Sequence, residues 1–385
     1  MRSCGGVRLS LAFMGFCLLL GSGLYAVGNV APFEHQSARE NAMGGVHAAL
    51  ADDFSSLFSN PAGFAGAKEE LSFAELTTTV YGPVFDIIDS VQTYLGPTAK
   101  LDISDLIGPA GFNAGADIAG PLSFGWVGRG LGFGLFNRST VHANAPGTSL
   151  SAIASEDLMM VGGYAFRFSP SGNHFFDVGF LGKGYIRGSL SLSASIFTVT
   201  DLASGNPMED KPFFTTAGVG LDLGMRYEYR SLFTVAVVCR DAYSPSSVSE
   251  YLSAMDFMTG DTDVVSSEYG LISPRLDAGI AFTPRIPVLE RYLSGLMFLF
   301  DYHDFLDLLN PIPRNPILNI AMGMELVVLD ALSLRAGIND ALPSLGLGLD
   351  LTFMRMDFAM RGMELGLDPG KNPAFAFDLG LLFRY

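Results

Sequence analysis

The chain has 385 residues and a formal charge of −16, with 49% hydrophobic but only 16% charged residues. An average soluble domain carries roughly 25% charged residues, so an ordinary water-surrounded surface is disfavoured. The acidic balance argues against nucleic acid or anionic lipid as a partner. Length admits several soluble domains or one large barrel, but the one long uncharged apolar run is Leu9 to Val27.

That run has the form of a secretory leader. Arg2 and Arg8 precede the apolar stretch Leu11 to Leu20, and Gly21-Ser22-Gly23-Leu24-Tyr25-Ala26 offers a cleavage region, which places the signal peptide at residues 1–26. A retained anchor is the alternative. A lipoprotein reading through Cys17 is opposed by Phe16, where a small residue is expected. Removal of the leader takes Cys4 and Cys17 with it. Cys239 then stands alone, without an internal disulfide partner, and reads as a packing residue after the apolar run Leu232–Val238.

Residues 27–69 are a small-residue segment. It holds Ser37-Ala38-Arg39-Glu40-Asn41-Ala42-Met43-Gly44-Gly45, then Ala48–Asp53, and ends near Asn60-Pro61-Ala62-Gly63-Phe64. Pro61 pushes Asn60 out of helical geometry and fixes a bend. Turn chemistry alone leaves two readings: a short helix and turn ahead of the next domain, or a plug for it.

From residue 70 the pattern changes to period two, which sends alternate side chains to opposite faces of a strand. Phe176, Val178, Phe180 and Ile186 oppose Asp177, Lys183, Tyr185 and Arg187, and Leu221, Leu223, Met225 and Tyr227 oppose Asp222, Gly224, Arg226 and Glu228. Later, Leu276, Ala278, Ile280 and Phe282 oppose Asp277, Gly279 and Thr283, and Met354, Met356, Phe358 and Met360 oppose Arg355, Asp357, Ala359 and Arg361. The last segment sets Phe375, Phe377, Leu379, Leu381, Phe383 and Tyr385 against Ala374, Ala376, Asp378, Gly380, Leu382 and Arg384. A soluble sandwich also alternates. Here one face is large and aromatic, while the other mixes glycine with charges of both signs. That combination suits a lipid-facing exterior and a wet lumen, because only helices and closed barrels satisfy their backbone inside a bilayer.

Fourteen strands are expected, near 70–80, 117–128, 130–142, 155–168, 174–189, 213–229, 231–240, 271–284, 294–304, 317–329, 331–339, 344–352, 354–362 and 374–385. Their connections alternate between tight turns and segments that are mostly long, namely 81–116, 143–154, 190–212, 241–270, 305–316, 340–343 and 363–373. Short periplasmic turns and long extracellular loops are the rule for outer-membrane barrels. The fold class is therefore all-β: a transmembrane antiparallel barrel at residues 70–385, multi-pass in the outer membrane of a diderm bacterium. Asp378, Gly380, Phe383 and the terminal Tyr385 resemble the polar–glycine–aromatic signal that such barrels present to the barrel-assembly machinery.

Ala51-Asp52-Asp53 followed by Asn60-Pro61-Ala62 resembles the N-terminal region of the FadL-type long-chain fatty-acid transporters, and the order of features is similar along the mature chain. The resemblance implies a compact hatch with an Asn-Pro-Ala motif plugging a fourteen-strand barrel. It also implies passive uptake of a hydrophobic ligand, a fatty acid or similar amphiphile, captured at extracellular loops and released past the hatch. Val84–Leu95 and Tyr251–Met258 are apolar loop stretches suited to capture, or to packing over the barrel mouth. Lys183, Arg187 and Arg226 face the lumen and are candidates to meet a ligand carboxylate; pairing with lumen acids such as Asp177, Asp222 and Glu228 is the alternative.

No chemistry beyond passage is indicated. His35, His47, His142, His174 and His303 show no metal spacing, Gly132-Phe133-Gly134 lacks the context of a phosphate loop, and no catalytic constellation stands out. Neither enzyme activity nor a cofactor is expected. An open diffusion porin for small polar solutes is the main alternative to a plugged transporter, and a structural or secretion-associated FadL-like barrel is the other.

Overall fold

The computed structural model describes residues 30–33, 35–82, 112–145, 149–195, 209, 211–260, 264–285 and 293–385. The leader at 1–26 and the loop stretch Val84–Leu95 lie outside the described residues.

The described residues form a closed antiparallel barrel of fourteen strands. Strand β1 is Glu70–Gly82. Strand β2 comes in two pieces, Phe112–Ala119 and Phe124–Gly128, that pair with the same two neighbours. The tall wall follows: β3 Leu131–Ala145, β4 Ser149–Ser171, β5 His174–Ser195 and β6 Phe213–Tyr229. Two more interrupted strands come next, β7 with Phe233–Tyr243 and Pro245–Tyr251, and β8 with Ser266–Leu271 and Arg275–Phe282. The low wall is β9 Leu293–Tyr302, β10 Ile320–Val328, β11 Leu332–Asn339, β12 Leu342–Asp350, β13 Met354–Glu364 and β14 Pro373–Arg384. Strand β14 pairs with β1 from Ser72↔Arg384 to Gly82↔Phe375, which closes the cylinder.

Closure pairs the described strands around the cylinder, so the backbone of the closed wall is satisfied without water. Side chains then sort by the pleat. On β14, Phe375 and Leu379 are over 40% exposed, while Ala376 and Asp378 are at most 1% exposed. The same sorting puts Phe180, Ile186, Ile280, Phe282, Phe298, Phe300 and Phe358 on the outside. Among the described residues the apolar side is thus the outer one, as a bilayer demands. Among the described residues no helix is long and apolar enough to cross a membrane; the crossing is made by strands.

Turn chemistry fixes the register. Arg230 and Ser231, Leu329 and Asp330, and Asp340 and Ala341 are paired positive-φ residues between adjacent strands. This is the backbone of the two-residue hairpin turn, whose twist matches that of the strands.

The strands run further than alternation predicted. Segments 143–154 and 241–270 were expected as loops, yet β3 and β4 continue to Ala145 and from Ser149, and Ser266–Leu271 pairs with Pro245–Tyr251. Above the bilayer both faces of a strand meet water, so the apolar face disappears while the backbone ladder continues. The segment 340–343 shrinks to the Asp340–Ala341 turn.

Residues 30–67 lie inside the barrel. Helix α1, Ala38–Ala42, begins with a capping box in which Ser37 and Glu40 exchange bonds, and 3₁₀ turns follow at Phe54–Leu57, capped by Asp53, and Pro61–Ala65, capped by Asn60. Helices this short are not stable alone; caps and wall contacts hold them. Met43, Val46, Ala51, Phe64 and Ala62 are fully buried.

Candidate functional site

The lumen is filled by the chain's own residues 30–67, and the wall is shaped to receive them. A Cβ on Gly179 of β5 would come 2.4 Å from the Pro61 carbonyl, and one on Gly346 of β12 would come 2.4 Å from the Ala42 side chain. Only glycine permits such backbone approach. At the centre, the Asn60 side chain donates to the Ala48 carbonyl (2.8 Å) and accepts from the Ala62 N–H (3.0 Å), which folds the Asn-Pro-Ala turn back on the segment before it.

One half of the segment packs Met43, Val46, Ala49 and Leu50 on Ala236, Ala281, Leu299 and Ala321 of the wall and is fixed further by charge. The Arg39 guanidinium reaches Asp52 (2.9 Å), Asp53 (2.8 Å) and Glu325 of β10 (2.7 Å). Arg335 of β11 bridges Glu325 (2.7 Å) to Asp357 of β13, and Arg355 of β13 returns to Asp53 (2.8 Å). Burial alone would push the Asp53 carboxyl up, but Arg355 and Arg39 outweigh it and hold it well below the usual carboxylate range. Asn41 adds a bond to Asp378 of β14 (2.9 Å).

The other half is fixed by packing. Phe54, Leu57 and Phe64 join Val127 of β2 and Phe136, Met159, Val161 and Leu181 of the tall wall in one apolar cluster. Phe58 meets Phe136 edge-on at 4.4 Å between centroids.

The three candidate lumen cations each have protein partners. Lys183 lies 2.9 Å from Asp222 and 2.8 Å from Asp241. Arg187 binds Asp157 (2.6 Å), donates to the Ala31 carbonyl (3.0 Å) and lies over the Phe33 ring at 4.1 Å. Arg226 lies 3.5 Å from Glu228. Lys183 and Arg187 border the region where Phe33, His35, Phe58 and Met159 line two small adjoining cavities, each of about 20 Å³. Arg138 and Asp157 line one, and Lys183, Asp222 and Arg240 the other. Each is large enough for about one water. Of the assembly-signal residues, Gly380 faces Ala38 inside, Phe383 points outward, and the Tyr385 backbone pairs with Leu71.

Sequence reasoning missed a cluster. His47, Asp301 at the end of β9, and His303 bring their ligating atoms within 4.8 Å of one another. Spacing gave no sign of it, because one histidine is on the inner segment and the other beyond the end of a strand.

No family model matches the chain, and no curated protein matches it. Solved structures similar in overall form include a Pseudomonas aeruginosa FadL homologue, with 12% identity over 93% of this chain and 99% of that one and a TM-score of 0.44. The Pseudomonas putida toluene transporter TodX has 12% identity over 93% and 99%, with a TM-score of 0.42, and the CymD monoaromatic hydrocarbon channel has 11% over 90% and 96%, with a TM-score of 0.44. The chain's own geometry establishes its class: it is a multi-pass outer-membrane β-barrel of fourteen strands whose lumen is occupied by its own residues 30–67.

Proposed function

We propose that the protein is a passive outer-membrane transporter for hydrophobic molecules, with long-chain fatty acids or similar amphiphiles as ligands and residues 27–69 as its hatch. The observation that carries this reading is apolar surface at the long-loop mouth, beyond the strands' membrane face. Helix α2, Ala254–Thr259, exposes Met255, Phe257 and Met258 beside Leu252, and in the connection after β9 Leu309 and Ile312 are over 70% exposed. Such a patch recovers its burial when it takes an apolar chain from water. Below it, His35 and the paired Arg138 sit among Phe33, Phe58 and Met159, a setting that suits a polar head beside an apolar tail. Lys183, Arg187 and Arg226 serve a ligand carboxylate in this reading only by exchanging a protein partner for it. The packed interior argues against an open porin.

A second exit has its own support. Outside the tall wall lies an apolar groove of about 710 Å³ lined by Leu135, Leu158, Met160, Ile186 and Val219. Tyr185 backs this groove and stacks on Phe33 at 4.1 Å, so two rings stand between the groove and the lumen cavities.

The test is binding and uptake of a fluorescent long-chain fatty-acid analogue by protein reconstituted in vesicles. Saturable binding, competed by unlabelled fatty acid and with uptake altered in Pro61→Ala, is expected. Absence of saturable binding rejects the fatty-acid reading, and stable ion conductance in planar bilayers would favour the porin instead.

A further inference from the structure

We propose that His47, Asp301 and His303 form a binding site for a divalent transition-metal ion of the zinc type, which ties the inner segment to the barrel wall near the long-loop mouth. The donor set is two imidazoles and a carboxylate, a combination suited to zinc and its neighbours rather than to calcium or magnesium.

The surroundings orient these groups. The His47 Nδ1 edge lies 2.9 Å from the Gly45 carbonyl, which turns Nε2 toward Asp277, 3.0 Å away. Gly45 thus fixes the ring through Nδ1, and a metal ion on Nε2 takes the place of its bond to Asp277. Asp301 is wholly buried; its Oδ2 accepts the His47 and Ala48 backbone N–H groups (2.7 and 2.8 Å), while its Oδ1 has no hydrogen-bond partner. A buried carboxylate oxygen left in that condition is costly and marks a place for a cation. His303 Nε2 is 3.9 Å from Asp301 Oδ2, and the two imidazole rings lie 4.9 Å apart, tilted by 32°.

Zinc bonds of about 2.0–2.2 Å put tetrahedral ligands about 3.4 Å apart. Ligating atoms already within 4.8 Å need only small side-chain rotations to reach that spacing. Asp277 supplies further negative charge, with Arg240 (2.7 Å) balancing part of it. Asp304, whose backbone N–H donates to Asp277 Oδ1 (2.7 Å), places another carboxylate nearby. The His303 side chain is 20% exposed, so the site lies close to the surface. The site joins the segment that must move in a hatch mechanism to the strand end that stays, yet it stands on its own geometry and holds whatever ligand the barrel carries.

Tag-free, chelator-stripped protein in detergent should bind one Zn²⁺ per chain in a calorimetric titration, and Co²⁺ should give a visible ligand-field spectrum. Zinc should raise the unfolding temperature. His303→Ala and Asp301→Asn should each weaken binding by at least about tenfold and abolish the Co²⁺ spectrum, while His174→Ala on the opposite rim should change neither. Circular dichroism establishes that each variant keeps the barrel. No zinc binding by the unmodified protein, or binding that survives both His303→Ala and Asp301→Asn, overturns the proposal.

Discussion

Residues 38–53 and 54–67 both pack apolar side chains on the wall, but only the first half adds a buried ionic chain. In that half Met43, Val46, Ala49 and Leu50 pack on Ala236, Ala281, Leu299 and Ala321. The first half faces the low wall, where Arg39, Asp53, Glu325, Arg335, Arg355 and Asp357 form a buried ionic chain. The second faces the tall wall, where Phe54, Leu57 and Phe64 pack on apolar side chains. Apolar packing is non-directional and tolerates small shifts. A buried ionic chain gains little net stability once desolvation is counted, but removal of one member leaves charges stranded. The ionic chain of the first half is therefore a register device that holds fully or fails, and the apolar packing of both halves is a graded contact. A segment anchored in this way can release one half while keeping the other.

The largest effect is expected where the chain branches. Arg39→Met takes one of two arginine partners from Asp53 and from Glu325 and the partner of Asp52, and should weaken docking of residues 38–53 by about 3 kcal/mol. Limited proteolysis should then cut within 38–53 while 54–67 stays protected; equal exposure of both halves would mean that they are one unit. Leu57→Ala should cost about 2–4 kcal/mol and act on 54–67 alone, since it leaves a cavity in the packed cluster. A smaller effect, about 1–3 kcal/mol, is expected for Gly179→Ala, whose new methyl meets the Pro61 carbonyl. Hydrogen exchange should place that loss around the Asn-Pro-Ala turn rather than in α1.

What the sequence disclosed follows the same division. Strand β14 was legible because lipid selects one face: Phe375, Phe377 and Leu379 point out, and Ala376 and Asp378 point in. The outer parts of β7 and β8 were not, because Pro245–Tyr251 and Ser266–Leu271 stand above the lipid and lose the alternation. The lumen glycines were visible as a composition, but their purpose was not. Gly179, Gly323, Gly337 and Gly346 make room for an inner segment whose contacts are all long-range. Lys183 was assigned to the lumen face by period two, whereas its second partner, Asp241, sits on another strand that no local pattern connects to it. The meeting of His47 with His303 is of the same kind.

Acid gives the most direct test of the two-force attachment. A depressed folded pKa means that Asp53 contributes full stability above its unfolded value of about 3.9 and loses it as pH falls toward the folded value. Hydrogen exchange, corrected for intrinsic rates, can follow both halves from pH 7 down to pH 2.5. The account predicts protection of both at pH 7, then loss in residues 38–53 below about pH 4 while 54–67 holds. Exchange of both halves at pH 7, or loss from 54–67 first, would contradict it.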